Sequence, residues 1–214
     1  MLKPLVIAGA GGFGREVAWL VEDINRSSPT WDFLGFLDDR YPTETPEGFK
    51  VLGPLSAADR FSDRALTVCA IGDPVARREL VDKLRSSGFK FATLIHPSVA
   101  MSSFVTVGPG SVICAGTSIT TNVKIGEHCI LSPGCRIGHD TIIEDYASLM
   151  PGVNIAGEVK IGAGAYFGLN AAVINQVTVG EWTILGAGAV AVNDIPPNVV
   201  AVGVPASPIK QRAI

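Results

Sequence analysis

The sequence predicts two parts of different class: an α/β unit on a parallel sheet, then a parallel β-helix. Three observations lead there. Residues 1–92 alternate short apolar runs with helical stretches. From Ile95 onward, apolar residues recur at every sixth position. The 214 residues include 24 glycines and are 47% hydrophobic but only 7% aromatic, which suits a core of thin repeated layers rather than one built around large rings.

In the first part, Leu5–Ala8 predicts a buried strand. It follows a single Lys3 and runs straight into Gly9–Gly14, with no cleavage region of the kind that ends a secretory leader. Gly14–Asn25 predicts a helix, with Val17, Ala18, Leu20, Val21 and Ile24 on one face. Phe33–Leu37 is a second strand ending at Asp38 and Asp39, and Ala65–Ile71 a third. Asp73 then caps a helix that has Pro74 at its first position and stops after Leu84 at Gly88. Strands alternating with helices in this way build a Rossmann-like parallel sheet with covering helices.

The second part has a period of six. Ile95, Met101, Val107, Ile113, Ile119, Ile125, Leu131 and Ile137 are followed at the same spacing by Ile143, Leu149, Ile155, Ile161, Phe167, Val173, Val179 and Leu185. The fourth residue after each is small or β-branched, as at Val123, Cys129, Ala147 and Val177. Neither a helix nor an ordinary strand has this period. It is the signature of a parallel β-helix, one short strand and one corner per hexad. The expected domains are 1–92 (Rossmann-like), 93–205 (β-helix) and a C-terminal tail at 206–214.

A net charge of −3 argues against a nucleic-acid or anionic-membrane surface. No segment reaches the ~18 apolar residues of a membrane span. Cys69, Cys114, Cys129 and Cys135 show no CxxC pairing and suit small buried groups in a reducing, cytoplasmic setting.

Two places carry chemistry. Gly9-x-Gly11-x-x-Gly14 lies between a strand and a helix, where backbone amides can hold a pyrophosphate; the alternative is a tight turn and nothing more. Among three histidines, His139 is followed directly by an acid, Asp140, at a corner of the coil. That pair suits a general base, or else a surface histidine satisfied by solvent. His128 is expected at the surface or a subunit interface, and His96 to hydrogen-bond at the domain junction. No serine or cysteine is paired with a base, which disfavours an acyl-enzyme.

Several segments in this order carry a family resemblance: Gly9-Ala10-Gly11-Gly12-Phe13-Gly14-Arg15-Glu16, Gly35-Phe36-Leu37-Asp38-Asp39, Ala70-Ile71-Gly72-Asp73, Ile95-His96-Pro97-Ser98, Gly138-His139-Asp140 and Val202-Gly203-Val204-Pro205-Ala206. Together with the hexads, the chain resembles hexapeptide-repeat acyltransferases. Within them it resembles bacterial nucleotide-4-amino-sugar N-acetyltransferases and their sialic-acid O-acetyltransferase relatives. The resemblance implies a left-handed β-helix, a homotrimer, and acetyl-CoA-dependent transfer to the amine of a nucleotide-linked sugar. It makes His139 the general base supported by Asp140. Ser148, Gly157, Leu169 and Ala187 fall at positions facing acetyl-CoA. Gly11, Gly12, Phe13, Asp38, Asp39 and Gly72 fall at positions facing the nucleotide-sugar. Two residues depart from the family pattern: Ser148 and Phe13 stand where the amino-sugar enzymes usually have histidine.

Sugar O-acetylation of the sialic-acid type, or another acyl transfer with a repurposed first domain, is the alternative. A γ-type carbonic anhydrase would need histidines close together on adjacent strands to bind zinc, and His128 and His139 are eleven residues apart. No metal is expected.

Overall fold

The computed structural model describes residues 1–212. They form two compact units, one of Met1–Gly72 and Ala76–Pro97, the other of Asp73–Val75 and the residues from Ser98 on.

The first unit is a four-stranded parallel sheet. Its strands are β1 (Lys3–Ala8), β2 (Trp31–Leu37), β3 (Val51–Gly53) and β4 (Leu66–Cys69), in the order β3-β2-β1-β4. Helix α1 (Gly12–Ser27) buries Val17, Ala18, Leu20 and Val21, the apolar face expected from its spacing. Helix α2 (Pro74–Ser86) follows β4, and Gly88 after it takes a positive φ of 86°, a left-handed stop. β1, β2 and both helices run up to two residues beyond the sequence-based bounds, whereas β4 is shorter than the expected Ala65–Ile71 at both ends, because its last apolar residues already belong to the loop at the pocket. The sequence reading missed β3 and the 3-10 turn Leu55–Arg60, because three strand residues and one short turn are too brief to show a period.

Two glycines in this unit are dictated by packing. A Cβ at Gly14 would lie 2.0 Å from the Gly9 carbonyl oxygen, so only glycine lets α1 start this close to the end of β1. Gly9 itself sits at φ 101°.

The second unit is a three-faced parallel β-helix of the left-handed type. Two-residue strands end on the apolar residues of the hexads, and each pairs with the strand one coil away, as Ile125 with Ile143 and Ile137 with Ile155. The first face includes Ile130–Leu131, Ser148–Leu149, Tyr166–Phe167 and Ile184–Leu185. The second includes Ser118–Ile119, Arg136–Ile137, Asn154–Ile155 and Ala172–Val173, and the third Lys124–Ile125, Ile142–Ile143, Lys160–Ile161 and Thr178–Val179. Inside, Ile113, Leu131, Leu149, Phe167 and Leu185 stack with no exposed surface, while the small partner position is filled by buried Val123, Cys135, Ala147 and Ala165. Met101 is 39% exposed, because its strand lies in the terminal coil and pairs on one side only.

Each corner needs a residue in the left-handed backbone region. Gly116, Gly134, Gly152 and Gly188 supply it in one column, and Asn122, Asp140, Glu158 and Gln176 in another. Ala206–Gln211, expected as tail, is a strand antiparallel to Val199–Gly203; the last two residues of the expected tail lie outside the described residues. Among the described residues no helix is long and apolar enough to cross a membrane.

Candidate active site

The glycine-rich turn after β1, the acids after β2 and the loop after β4 converge at one end of the sheet, where the strands finish. They line a pocket of about 380 Å³ that includes Gly11, Gly12, Phe13, Asp38, Asp39 and Gly72, the whole set expected to face a nucleotide-sugar. Arg40, Leu55 and Ile71 also line it and were not singled out from sequence.

The two acids have different tasks. Asp38 is buried, and both its oxygens accept backbone hydrogen bonds: Oδ2 from Ala10 N–H at 2.7 Å and Oδ1 from Arg40 N–H at 2.7 Å. It therefore shapes the glycine loop. Asp39 is exposed, and its Oδ1 accepts from Leu55 N–H at 2.9 Å. Behind the third loop the fully buried Arg77 of α2 donates from Nη1 to the carbonyls of Ile71 and Gly72, at 2.7 and 3.0 Å, and so props it. A Cβ at Gly12 or at Gly72 would meet no protein atom within 4 Å, and neither has a positive φ. Nothing in the protein demands glycine at these two positions; a ligand lying against the backbone would.

In the β-helix, His139 and Asp140 occupy a corner between the second and third faces. Nδ1 of His139 lies 2.7 Å from Oδ2 of Asp140, with both side chains about half exposed, at 51% and 47%. A carboxylate only accepts, so the imidazole donates from Nδ1 and its Nε2 keeps a lone pair when the ring is neutral. A hydrogen bond from the Asn122 side chain, then the one from His139, holds the Asp140 carboxyl below its ordinary range. The ring lies across Gly157 of the next coil: a Cβ there would be 2.6 Å from both Cε1 and Nε2.

The residues expected to face acetyl-CoA separate into groups. Gly157 is buried under His139. Leu169 and Ala187 stack one coil apart at the corner between the first and second faces, both exposed, with Gly188 N–H donating to the Leu169 carbonyl at 2.8 Å. Ser148 is on the first face with no exposed surface. Within one chain these groups do not share a corner.

Of the other two histidines, one departs from expectation and the other hydrogen-bonds as expected. His128 is buried, not superficial: its ring stacks on Tyr146 at 5.3 Å and an 11° interplanar angle, over Gly110. The corner turns the ring inward because Gly110 leaves room, a space no hexad pattern announces. His96 Nε2 lies 3.2 Å from Asp23 Oδ2 of α1. The four cysteines are buried, none in a disulfide among the described residues, and burial pushes the Cys69 and Cys135 thiols up to about 12. Among the described residues no three His, Cys, Asp or Glu side chains gather as metal ligands.

Comparison with known proteins places this geometry. Residues 4–84 match the PglD N-terminal domain family, and residues 104–139 match the bacterial transferase hexapeptide (six repeats). A variant of perosamine N-acetyltransferase from Caulobacter crescentus, solved with CoA and GDP-perosamine, is similar at 32% identity and TM-score 0.88, over 99% of each chain. The acetyltransferase domain of PglB from Neisseria gonorrhoeae, solved with acetyl coenzyme A, is 30% identical at TM-score 0.91, over 98% of this chain and all of that one. UDP-N-acetylbacillosamine N-acetyltransferase from Bacillus subtilis is 37% identical over 119 residues, and this match spans about half of either protein, 53% and 52%. With both parts of the chain accounted for, the pocket in the first and the histidine corner in the second, the chain belongs to the hexapeptide-repeat sugar N-acetyltransferases that carry a PglD-type N-terminal domain.

Proposed function

We propose that this protein transfers the acetyl group of acetyl-CoA to the amine of a nucleotide-linked amino sugar, with His139 as general base. The observation that carries the reading is the His139–Asp140 contact at 2.7 Å, which leaves a basic Nε2 at an exposed corner. The amine nitrogen attacks the thioester carbon and forms the C–N bond while Nε2 accepts its proton. Asp140 stabilises the resulting imidazolium. The C–S bond then breaks, and the CoA thiolate takes the proton back from the imidazolium, leaving amide and free CoA. The pocket at Gly11, Gly12 and Asp39 supports nucleotide-diphosphate recognition by backbone amides beside the start of α1. Similarity to enzymes solved with CoA and GDP-perosamine, and with acetyl coenzyme A, supports both substrates. Phe13 replaces a polar ring at this pocket with an apolar one, so the acceptor sugar is selected there without an imidazole.

We further infer a homotrimer. His139 and the Leu169–Ala187 pair lie at different corners of the β-helix, which supports a CoA site shared between two subunits. Acetyl-CoA and sugar nucleotides are cytoplasmic metabolites, which supports a cytoplasmic setting. The test is calorimetric titration with UDP, GDP, dTDP and acetyl-CoA, followed by turnover of the matching nucleotide-amino sugar by wild type and His139→Ala. Binding of one nucleotide and of acetyl-CoA, with kcat lowered about 10²–10⁴-fold in the variant, is expected. Acetyl-CoA binding with no nucleotide would overturn the acceptor assignment in favour of an unlinked sugar hydroxyl. Full turnover by the variant would remove His139 as base, and a monomer by light scattering would remove the shared site.

A further inference from the structure

Asp140 is held from two sides. Its Oδ2 meets His139 Nδ1 at 2.7 Å, and its Oδ1 accepts from Nδ2 of Asn122, 18 residues earlier and one coil below, at 2.5 Å. The backbone contributes a third restraint, Asp140 N–H to the Thr121 carbonyl at 3.1 Å. An imidazole–carboxylate pair this exposed is weak by itself, since both side chains sample other rotamers and water competes for each. Fixing one carboxylate oxygen leaves the other with one direction in which to point. The amide must present its NH₂ side to do so, because a carboxylate has nothing to donate.

The corner does not require asparagine. Asn122 has φ 54°, and the same left-handed conformation in a neighbouring column is met by Gly116, Gly134, Gly152 and Gly188. What distinguishes the Asn122 column is its order: amide, acid, acid, amide. Gln176 Nε2 donates to Glu158 at 3.0 Å at the other end, so each acid is met by an amide from the side away from its neighbouring acid.

We propose that Asn122 is a positioning residue for the base. Its amide orients the Asp140 carboxylate, which keeps the His139 imidazole as the Nδ1–H tautomer with the lone pair on Nε2. This rests on His139 being the base, and the test separates the two. Only three histidines are present, so the ¹⁵N signals of the His139 ring can be assigned by their loss in His139→Ala. In wild type with the ring neutral, the Nδ1–H form should dominate, although a free imidazole favours Nε2–H. In Asn122→Gly, which keeps the corner unstrained, the ring should drift toward Nε2–H. Its kcat should fall about tenfold with KM for both substrates little changed and melting unaltered, as for a loosened base. Asn122→Asp replaces the donor with a second carboxylate near the imidazolium, and should move the acidic limb of kcat/KM to higher pH.

A residue serving only the corner would move neither the tautomer nor the limb. Wild-type tautomer and kcat in Asn122→Gly would overturn the proposal. Full turnover by His139→Ala would instead overturn the base assignment, and the ¹⁵N tautomer would still decide whether Asn122 orients the dyad.

Discussion

Gly157→Ala adds one methyl group at the point where the structure leaves no room for it. The new Cβ would stand 2.6 Å from Cε1 and Nε2 of His139. Ordinary carbon contacts begin near 3.5 Å, so the ring must retreat by about 1 Å. The backbone has no objection, since Gly157 does not have a positive φ, and the half-exposed ring can swing outward into water. The substitution also removes the extra chain entropy of glycine from the unfolded state, worth ~0.4–1 kcal/mol in favour of folding. Melting should therefore stay within ~3 °C of wild type for a chain of this size. Chemistry should not be spared. A 1 Å displacement of a catalytic group costs on the order of 10²-fold, or ~2.7 kcal/mol of transition-state stabilisation. Release of free CoA in the presence of the amino-sugar nucleotide reads this out as kcat, and titration of acetyl-CoA gives its KM. A kcat within twofold of wild type, where His139→Ala shows its expected loss, would refute the role of Gly157 as the space for the base. A raised KM for acetyl-CoA at unchanged kcat would make it a CoA contact instead.

Asp38→Ala strips two backbone N–H groups of a charged acceptor, one of them on the buried Ala10, and should cost ~3–5 kcal/mol in denaturant unfolding while loosening nucleotide binding. Gly12→Ala, at the first position of α1 with open space around it, should leave stability unchanged or slightly raised and weaken nucleotide binding at least tenfold by calorimetry; unchanged binding would mean that no ligand approaches there. The Asp140 carboxyl is held below its ordinary range, so it stays ionised on mild acidification, and any stability it adds is present above the ordinary carboxylate pKa and lost only as pH falls through the lowered one. The acidic limb of kcat/KM should accordingly survive Asp140→Asn, shifted to lower pH as the imidazolium loses its partner; an abolished limb would contradict this. The buried thiols, with Cys69 and Cys135 pushed up to about 12, should resist a disulfide-exchange reagent at pH 8 until the chain is unfolded.

Much of this protein is written in local pattern. The hexads place Ile125, Ile137, Ile143 and Ile155 inside because a six-residue rung repeats the same geometry at each turn, so period alone specifies strand, corner and core. The glycine loop and Asp38 and Asp39 converge for a similar reason, since parallel strands joined by crossover helices deliver their ends to one edge of the sheet. Short irregular pieces escaped notice: β3 and the Leu55–Arg60 turn have too few residues to show periodicity, yet they bring Leu55 to the pocket.

The sequence by itself determined the two folds, the adjacent His139 and Asp140, and the loop residues that gather at the first site. Only the tertiary structure decided what lies 18 residues away. Coil stacking sets Asn122 beneath Asp140, Gly157 against the His139 ring and Gly110 under the buried His128. It also divides Asp38, spent on the loop's backbone, from Asp39 at the pocket wall. The physical reason is that a hydrogen bond or a methyl-sized gap depends on side-chain direction at an ångström scale, whereas periodicity records only which face of the chain is dry.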